Sequence, residues 1–187
     1  MNPTTLQLWS VIGTWLAAIG TVGAVVTSLW LAFRQNKIKL KVSAEYIRQK
    51  VTGHDETRDC CFIKVVNAGP NPAKISYISW QVHRWFKKKY IQQDVNLLKS
   101  DTISKYLIKG DEANYFIYFN EKIGDYNWIA SFLKNMVGED SQKLIRSLKV
   151  IVHTSFGQSF TRKVEDSLIE RLEESYEANK NIQTNAD

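Results

Sequence analysis

The first 33 residues of this 187-residue chain lack any charged side chain: all 25 Lys and Arg and all 19 Asp and Glu lie at or after Arg34. A run without charge fits a membrane span, with the buried core helix of a soluble protein as the alternative. The absence excludes the basic n-region of a secretory signal peptide, because MNPTTLQ holds no Lys or Arg.

Cysteine is scarce as well. Cys60 and Cys61 are adjacent, and sequence neighbours seldom close an unstrained disulfide. No CxxC or Cys/His spacing suits zinc. Two reduced cysteines on a strand fit a cytoplasmic domain. Motifs for chemistry are missing too: there is no GxSxG elbow, GxGxxG turn or Walker A loop. His54, His83 and His153 are scattered over a loop and two strands, and none has a ligand partner at useful local spacing. Asp111 with Glu112, and Glu139 with Asp140, read as solvated turns. No catalytic residue, metal or cofactor is expected, and the chain reads as a non-enzyme.

What the N-terminus does contain is apolar length. Residues 6–33 exceed the ~20 residues needed to cross a hydrocarbon core. Trp9 and Trp30 lie roughly 31 Å apart on a helix, which sets an indole near each interface. The basic stretch that follows, RQNKIKLK, makes residues 1–5 an extracytoplasmic tail and everything after Arg34 cytoplasmic by the positive-inside rule. A bacterial inner membrane is the expected location, and its lipids the first expected partner.

This span is rich in small residues, and on a helical wheel they share a side. Ser10, Gly13, Thr14, Ala17, Gly20, Thr21, Ala24, Thr27 and Ser28 fall in one sector of roughly 140°. Within it, Gly13, Ala17, Gly20, Ala24 and Thr27 step by four and three, the seam of a left-handed helix pair. Lipid supplies no hydrophobic drive between helices, so close backbone approach and polar contacts must do so. The expectation is a homo-oligomer or docking on another membrane helix. A lone anchor is the plainer alternative, and a pore lined by Ser10, Thr14, Thr21 and Ser28 a further one that lacks any ionisable residue.

From Ile38 the period changes to two. IKLKVSAEY sets Ile38, Leu40, Val42, Ala44 and Tyr46 against polar neighbours. VTGHDETRD reads as a loop, CCFIKVVN as a strand and AGPNPA as a turn. KISYISWQVHRW places Ile78, Trp80 and Val82 on one face, and KKKYIQQD extends or follows that strand. LLKSDTISKYLIKGDEANYFIYF gives a weaker strand and an aromatic one. RSLKVIVHTSFG and QSFTRKV form a hairpin turning near Gly157. About seven short strands over residues 34–164 predict an antiparallel immunoglobulin-like β-sandwich. A helical insertion covers about 125–137, carried by Trp128, Ile129, Phe132, Leu133 and Met136. Residues 165–187 read as an acidic tail, helical and then disordered, with Leu168, Leu172 and Tyr176 at intervals of four.

The combination of WSVIGTWLAAIGTVGAVVTSLWLAFR, a basic stop, VVNAGPNPAKISYISW and LIKGDEANYFIYF resembles a group of poorly characterised small bacterial and prophage proteins. These have one N-terminal membrane helix and a cytoplasmic immunoglobulin-like sandwich. The resemblance runs to about Val164. It implies architecture and a phage-exclusion or anti-phage setting, and it identifies no chemistry.

Charge is the last signal. Residues from Glu165 onward hold seven acids and two bases, which leaves 23 bases and 12 acids in residues 34–164. In the densest basic stretch, HRWFKKKY, Arg84, Lys87, Lys88 and Lys89 interleave with Trp85, Phe86 and Tyr90. It reads as a contact for anionic lipid, as a site for nucleic acid or a nucleotide, or as a solvated hairpin whose lysines discourage edge pairing.

Overall fold

The computed structural model describes residues 3–35, 37–50, 57–84, 87–95, 100–121, 126–138 and 142–184. The chain divides into two compact units, Met1–Lys37 and Ile38–Asp187.

The first unit is one helix, α1 (Pro3–Gln35). It begins within the expected outer tail and ends two residues beyond the expected span. Gln7–Phe33 is long and apolar enough to cross a membrane. The hydroxyls of Thr14 and Thr21 donate to the carbonyls of Ser10 and Ala17 four residues back, at 2.9 and 2.8 Å. These polar groups are therefore satisfied within their own helix.

The second unit begins with β1 (Leu40–Lys50), β2 (Thr57–Asn67), β3 (Ala73–Arg84), β4 (Lys87–Gln93) and β5 (Tyr106–Leu107). Next come β6 (Glu112–Tyr118), β7 (Asn120–Glu121), β8 (Tyr126–Asn127), α2 (Trp128–Met136) and α3 (Gln142–Ile145). It closes with β9 (Lys149–Thr154), β10 (Ser159–Lys163) and α4 (Asp166–Thr184). One sheet has the order β1-β2-β6; the other has β10-β9-β3-β4, with β5 also pairing β3, and β7 pairs β8. All these pairings are antiparallel.

The period-2 patterning sets which face is buried. Leu40 and Ala44 of β1, Cys61, Ile63 and Val65 of β2, and Ala113, Tyr115 and Ile117 of β6 point inward. So do Ile75, Ile78, Trp80 and Val82 of β3, with Val150 and Val152 of β9, and both sheets share one hydrophobic cluster. Gly157 turns the β9–β10 hairpin with φ +74°, a conformation that glycine adopts without strain.

Two parts of this unit differ from the expectation. The acidic C-terminal segment is a wall of the domain: Leu168 and Leu172 are fully buried in the common core, and Ile169 nearly so. Its helix also runs to Thr184, into the stretch read as a polar tail. The insertion holds α3 in addition to α2, and Leu144, Ile145 and Leu148 at that second turn join the core. The β1–β2 loop residues 51–56, with His54, lie outside the described residues, as do Trp85, Phe86 and residues 185–187.

The NAGPNPA turn is scaffold. Asn67 is fully buried; its Nδ2 donates to the carbonyls of Asn71 and Leu107, both at 2.8 Å, and its Oδ1 accepts from Gly69 N at 3.0 Å. Gly69 passes so close to β1 that a Cβ there would sit 2.8 Å from Lys39 N.

Candidate functional site

A cleft of about 440 Å³ opens where β4 and the chain after it approach β6, with α2 forming one wall. Its lining includes Gln93, Asp94, Tyr118, Trp128, Phe132 and Asn135. Asn127 caps α2 by accepting from Ala130 N at 2.9 Å, and Trp128 N donates to Phe119 O at 2.8 Å. These bonds fix the first turn so that Trp128 and Phe132 stack at 4.7 Å, with Phe119 on Trp128 at 5.6 Å. Trp80 meets Phe132 edge-on at 5.6 Å.

Gln93 sits beneath this aromatic cluster. Its Oε1 accepts from Trp80 Nε1 at 2.7 Å and Trp128 Nε1 at 3.1 Å, and its Nε2 donates to Asp94 O. Each indole donor is thus satisfied in a buried setting, as a buried Trp requires. The cleft combines an aromatic wall with amide, hydroxyl and carboxylate groups, which is the makeup of a binding site. Among its described lining residues, no hydrogen bond joins a nucleophile to a base.

The basic hairpin lies at the Arg84–Lys87 end of the β3–β4 pairing. Arg84 pairs with Lys87, His83 with Lys88 and Val82 with Lys89. Lys89 therefore shares the face of core residue Val82, while Lys88 takes the opposite one. Lys87, Lys88 and Lys89 are all exposed. His83 and His153 lie on one outward face, apart. His153 pairs with Tyr77, six residues before His83 on β3.

His153 is clamped in place. Ser79 Oγ lies 2.9 Å from its Nε2, Ser159 Oγ lies 2.9 Å from its Nδ1, and Tyr77 stacks on the ring at 4.1 Å. Burial lowers its pKa, which favours the neutral imidazole that donates at one nitrogen and accepts at the other. No carboxylate touches this ring in the bonds described, so the arrangement orients a side chain and lacks the third member of a catalytic triad.

Burial pushes the Cys60 thiol up to about 11, with the charge of Asp59 adding to it, and pushes Cys61 up as well. Such thiols are inert. Among the described residues, no three His, Cys, Asp or Glu side chains gather as metal ligands would. On α1, a Cβ built at Gly13 or Gly20 meets nothing within 4 Å beyond the helix's own backbone.

No family model and no curated protein matches this sequence. Among solved structures, a structural-genomics target designated SoR45 is 12% identical, with 70% of this chain and 84% of that one covered at a TM-score of 0.29. A Bordetella pertussis protein designated ApaA is 10% identical over 69% of this chain and 89% of that one, also at 0.29. Likeness at that level carries no inference about function.

Proposed function

We propose that this chain is a non-enzymatic single-pass inner-membrane protein with a cytoplasmic recognition module. Its domain takes a protein or small anionic ligand, and α1 assembles copies through Gly13, Ala17, Gly20, Ala24 and Thr27. Binding rearranges the helices and perturbs the membrane, as a phage-exclusion or anti-phage effector would. That setting comes from the resemblance to prophage proteins.

The observation that carries the proposal is the helix. Its apolar stretch is 27 residues long with every side chain exposed, and a Cβ at Gly13 or Gly20 meets nothing within 4 Å beyond the helix's own backbone. Strand order supports an immunoglobulin-like reading of the domain: β1-β2-β6 corresponds to strands A-B-E, and β10-β9-β3-β4 to G-F-C-C′. The cleft at the β4–β6 seam is the ligand site in this reading. A second reading, a passive anchor or adaptor that localises a cytoplasmic partner, draws support from Thr14 and Thr21. Their hydroxyls are spent within the helix and add little polar attraction between helices.

Overproduction in bacterial cells separates the two. An effector slows growth, and Gly20→Ile relieves the harm at equal protein level. Harmless overproduction, or full function after α1 is exchanged for an unrelated span, sinks the effector and leaves the adaptor.

A further inference from the structure

The two sheets differ in charge. Strands β1, β2 and β6 mix five Lys and Arg with three Asp and Glu, whereas β3, β4, β9 and β10 carry eight Lys and Arg and no acidic residue. Exposed aromatic rings follow the same division. Among the described residues of the domain, Tyr77, Tyr90, Tyr106 and Phe156 are the exposed ones, at 39 to 61%. The three tyrosines lie on β3, β4 and β5, and Phe156 lies in the β9–β10 turn.

Register brings the groups together. Tyr90, Gln81, Lys149 and Lys163 form one row across all four strands on the outward face, and Lys88 stands beside His83. On the same face, Tyr77 rests on His153, whose two ring nitrogens are held by serine hydroxyls. Lys163 shares its charge with Asp166 at 3.4 Å in an exposed pair, so it remains available to an anion. Among the described residues of these strands no large aliphatic side chain is exposed; Ile108, just after β5, is the exposed one nearby. Rigid aromatic rings, hydroxyls and exposed lysines on an open antiparallel sheet supply what an unpaired nucleic-acid strand requires. That is stacking for its bases and positive charge for its phosphates.

We infer that the outward face of the β10-β9-β3-β4 sheet is a platform for single-stranded nucleic acid. Bases stack on Tyr77 and Tyr90, and phosphates lie on Lys88, Lys149 and Lys163. The inference rests on the recognition-module reading and names a partner class for it, on a surface separate from the cleft.

The test uses the full chain in nanodiscs of neutral phosphatidylcholine and the fluorescence anisotropy of a labelled oligodeoxythymidine of about twenty nucleotides, long enough for one site. Binding is expected, and it weakens as salt rises. Tyr90→Ala lowers affinity roughly 5- to 150-fold, while Tyr90→Phe, which keeps the ring, retains it. Lys149→Gln combined with Lys163→Gln flattens the salt slope by about 1.4. Lys109→Gln, in the exposed turn before β6, leaves binding unchanged. Thermal melting confirms that each variant is folded. No binding at low salt overturns the platform. So does binding that ignores the tyrosines and takes duplex equally well, or a preference for phosphatidylglycerol vesicles over the oligonucleotide, which would make the face a membrane contact. None of these variants touches α1 or the cleft, so such a failure leaves the recognition module to its own growth test.

Discussion

Arg171 on α4 reaches across 112 positions of sequence to Asp59 on β2, Nη2 to Oδ2 at 3.2 Å. The same carboxylate accepts from Tyr46 Oη at 2.9 Å and Arg48 Nε at 3.1 Å, and the Arg171 guanidinium lies over the Tyr46 ring at 5.9 Å. The C-terminal helix is thereby tied to the first hairpin by a three-donor carboxylate. Asp59→Ala leaves those donors without it and is expected to cost about 2 kcal/mol. Urea unfolding checks this, with a lowered midpoint and a second, early transition if α4 detaches first.

Acid should act in two steps. Burial pushes Asp59 upward, but the Tyr46 and Arg48 hydrogen bonds and the charges of Arg48 and Arg171 outweigh it and hold the pKa below 3.8. For Asp101, burial is likewise overcome by the Asn114 N–H and Lys105. A carboxylate with a depressed folded pKa stabilises above its unfolded value, and that contribution disappears as pH falls through the folded one. His153 is also depressed, by burial, from 6.5, so its contribution is present above 6.5 and is lost as pH falls below it. Urea midpoints should therefore decline gently below about pH 6.5 and steeply below about pH 4. Removing the histidine as His153→Asn should abolish the first decline, and Asp59→Asn should blunt the second.

Gln93 serves as common acceptor for two buried indoles, Trp80 and Trp128. Gln93→Leu fills a similar volume but strands both donors, at about 1–3 kcal/mol each. The melting temperature should fall, and the tryptophan emission of the folded state should change. Gln93→Glu, which keeps an acceptor, should perturb both less. Equal stability of the Leu variant would mean that water satisfies the indoles.

How much of this was legible beforehand depends on how local each signal is. The inward face of β3 could be read because Ile78, Trp80 and Val82 alternate within five residues. The turn at Gly157 and the apolar side of α2 are equally local. The role of α4 was obscured because Leu168, Ile169 and Leu172 lie among acids, whose net charge suggested a solvated tail. Four-residue α3 is too short to show a period. The cleft draws on β4, β6 and α2, which are distant in sequence, and none of its residues belongs to a motif. Lys149 and Lys163 drew no notice in the sequence because pairing across β9–β10, not spacing, makes them neighbours.

Gly69 provides a stringent check on the β2–β3 turn. A methyl at this position would collide with the backbone of Lys39, which belongs to the strand approach and cannot swing aside as a side-chain tip can. Gly69→Ala should therefore destabilise the domain by about 1–3 kcal/mol. Asn67→Ala, which strands Gly69 N and two carbonyls in a buried setting, should cost at least as much. Chemical denaturation of both variants decides, and a near-neutral Gly69→Ala would show that the turn can shift away from β1.

The three glycines of α1 allow assembly to be read without interference from folding. A Cβ at Gly13, Gly20 or Gly23 meets nothing within 4 Å beyond the helix's own backbone, so none of the three positions is closed to a side chain. At 100° per residue Gly13 and Gly20 are about 20° apart on the small face, while Gly23 lies roughly 60° beyond Gly20, outside it. Self-association of the full chain, followed by cross-linking in native membranes, should fall sharply for Gly13→Ile and Gly20→Ile and much less for Gly23→Ile. Equal loss in all three would point to an interface that wraps the helix. Wild-type chain that fails to cross-link, or variants that all cross-link like it, would remove the small face as a contact between copies. The span would then serve as an anchor.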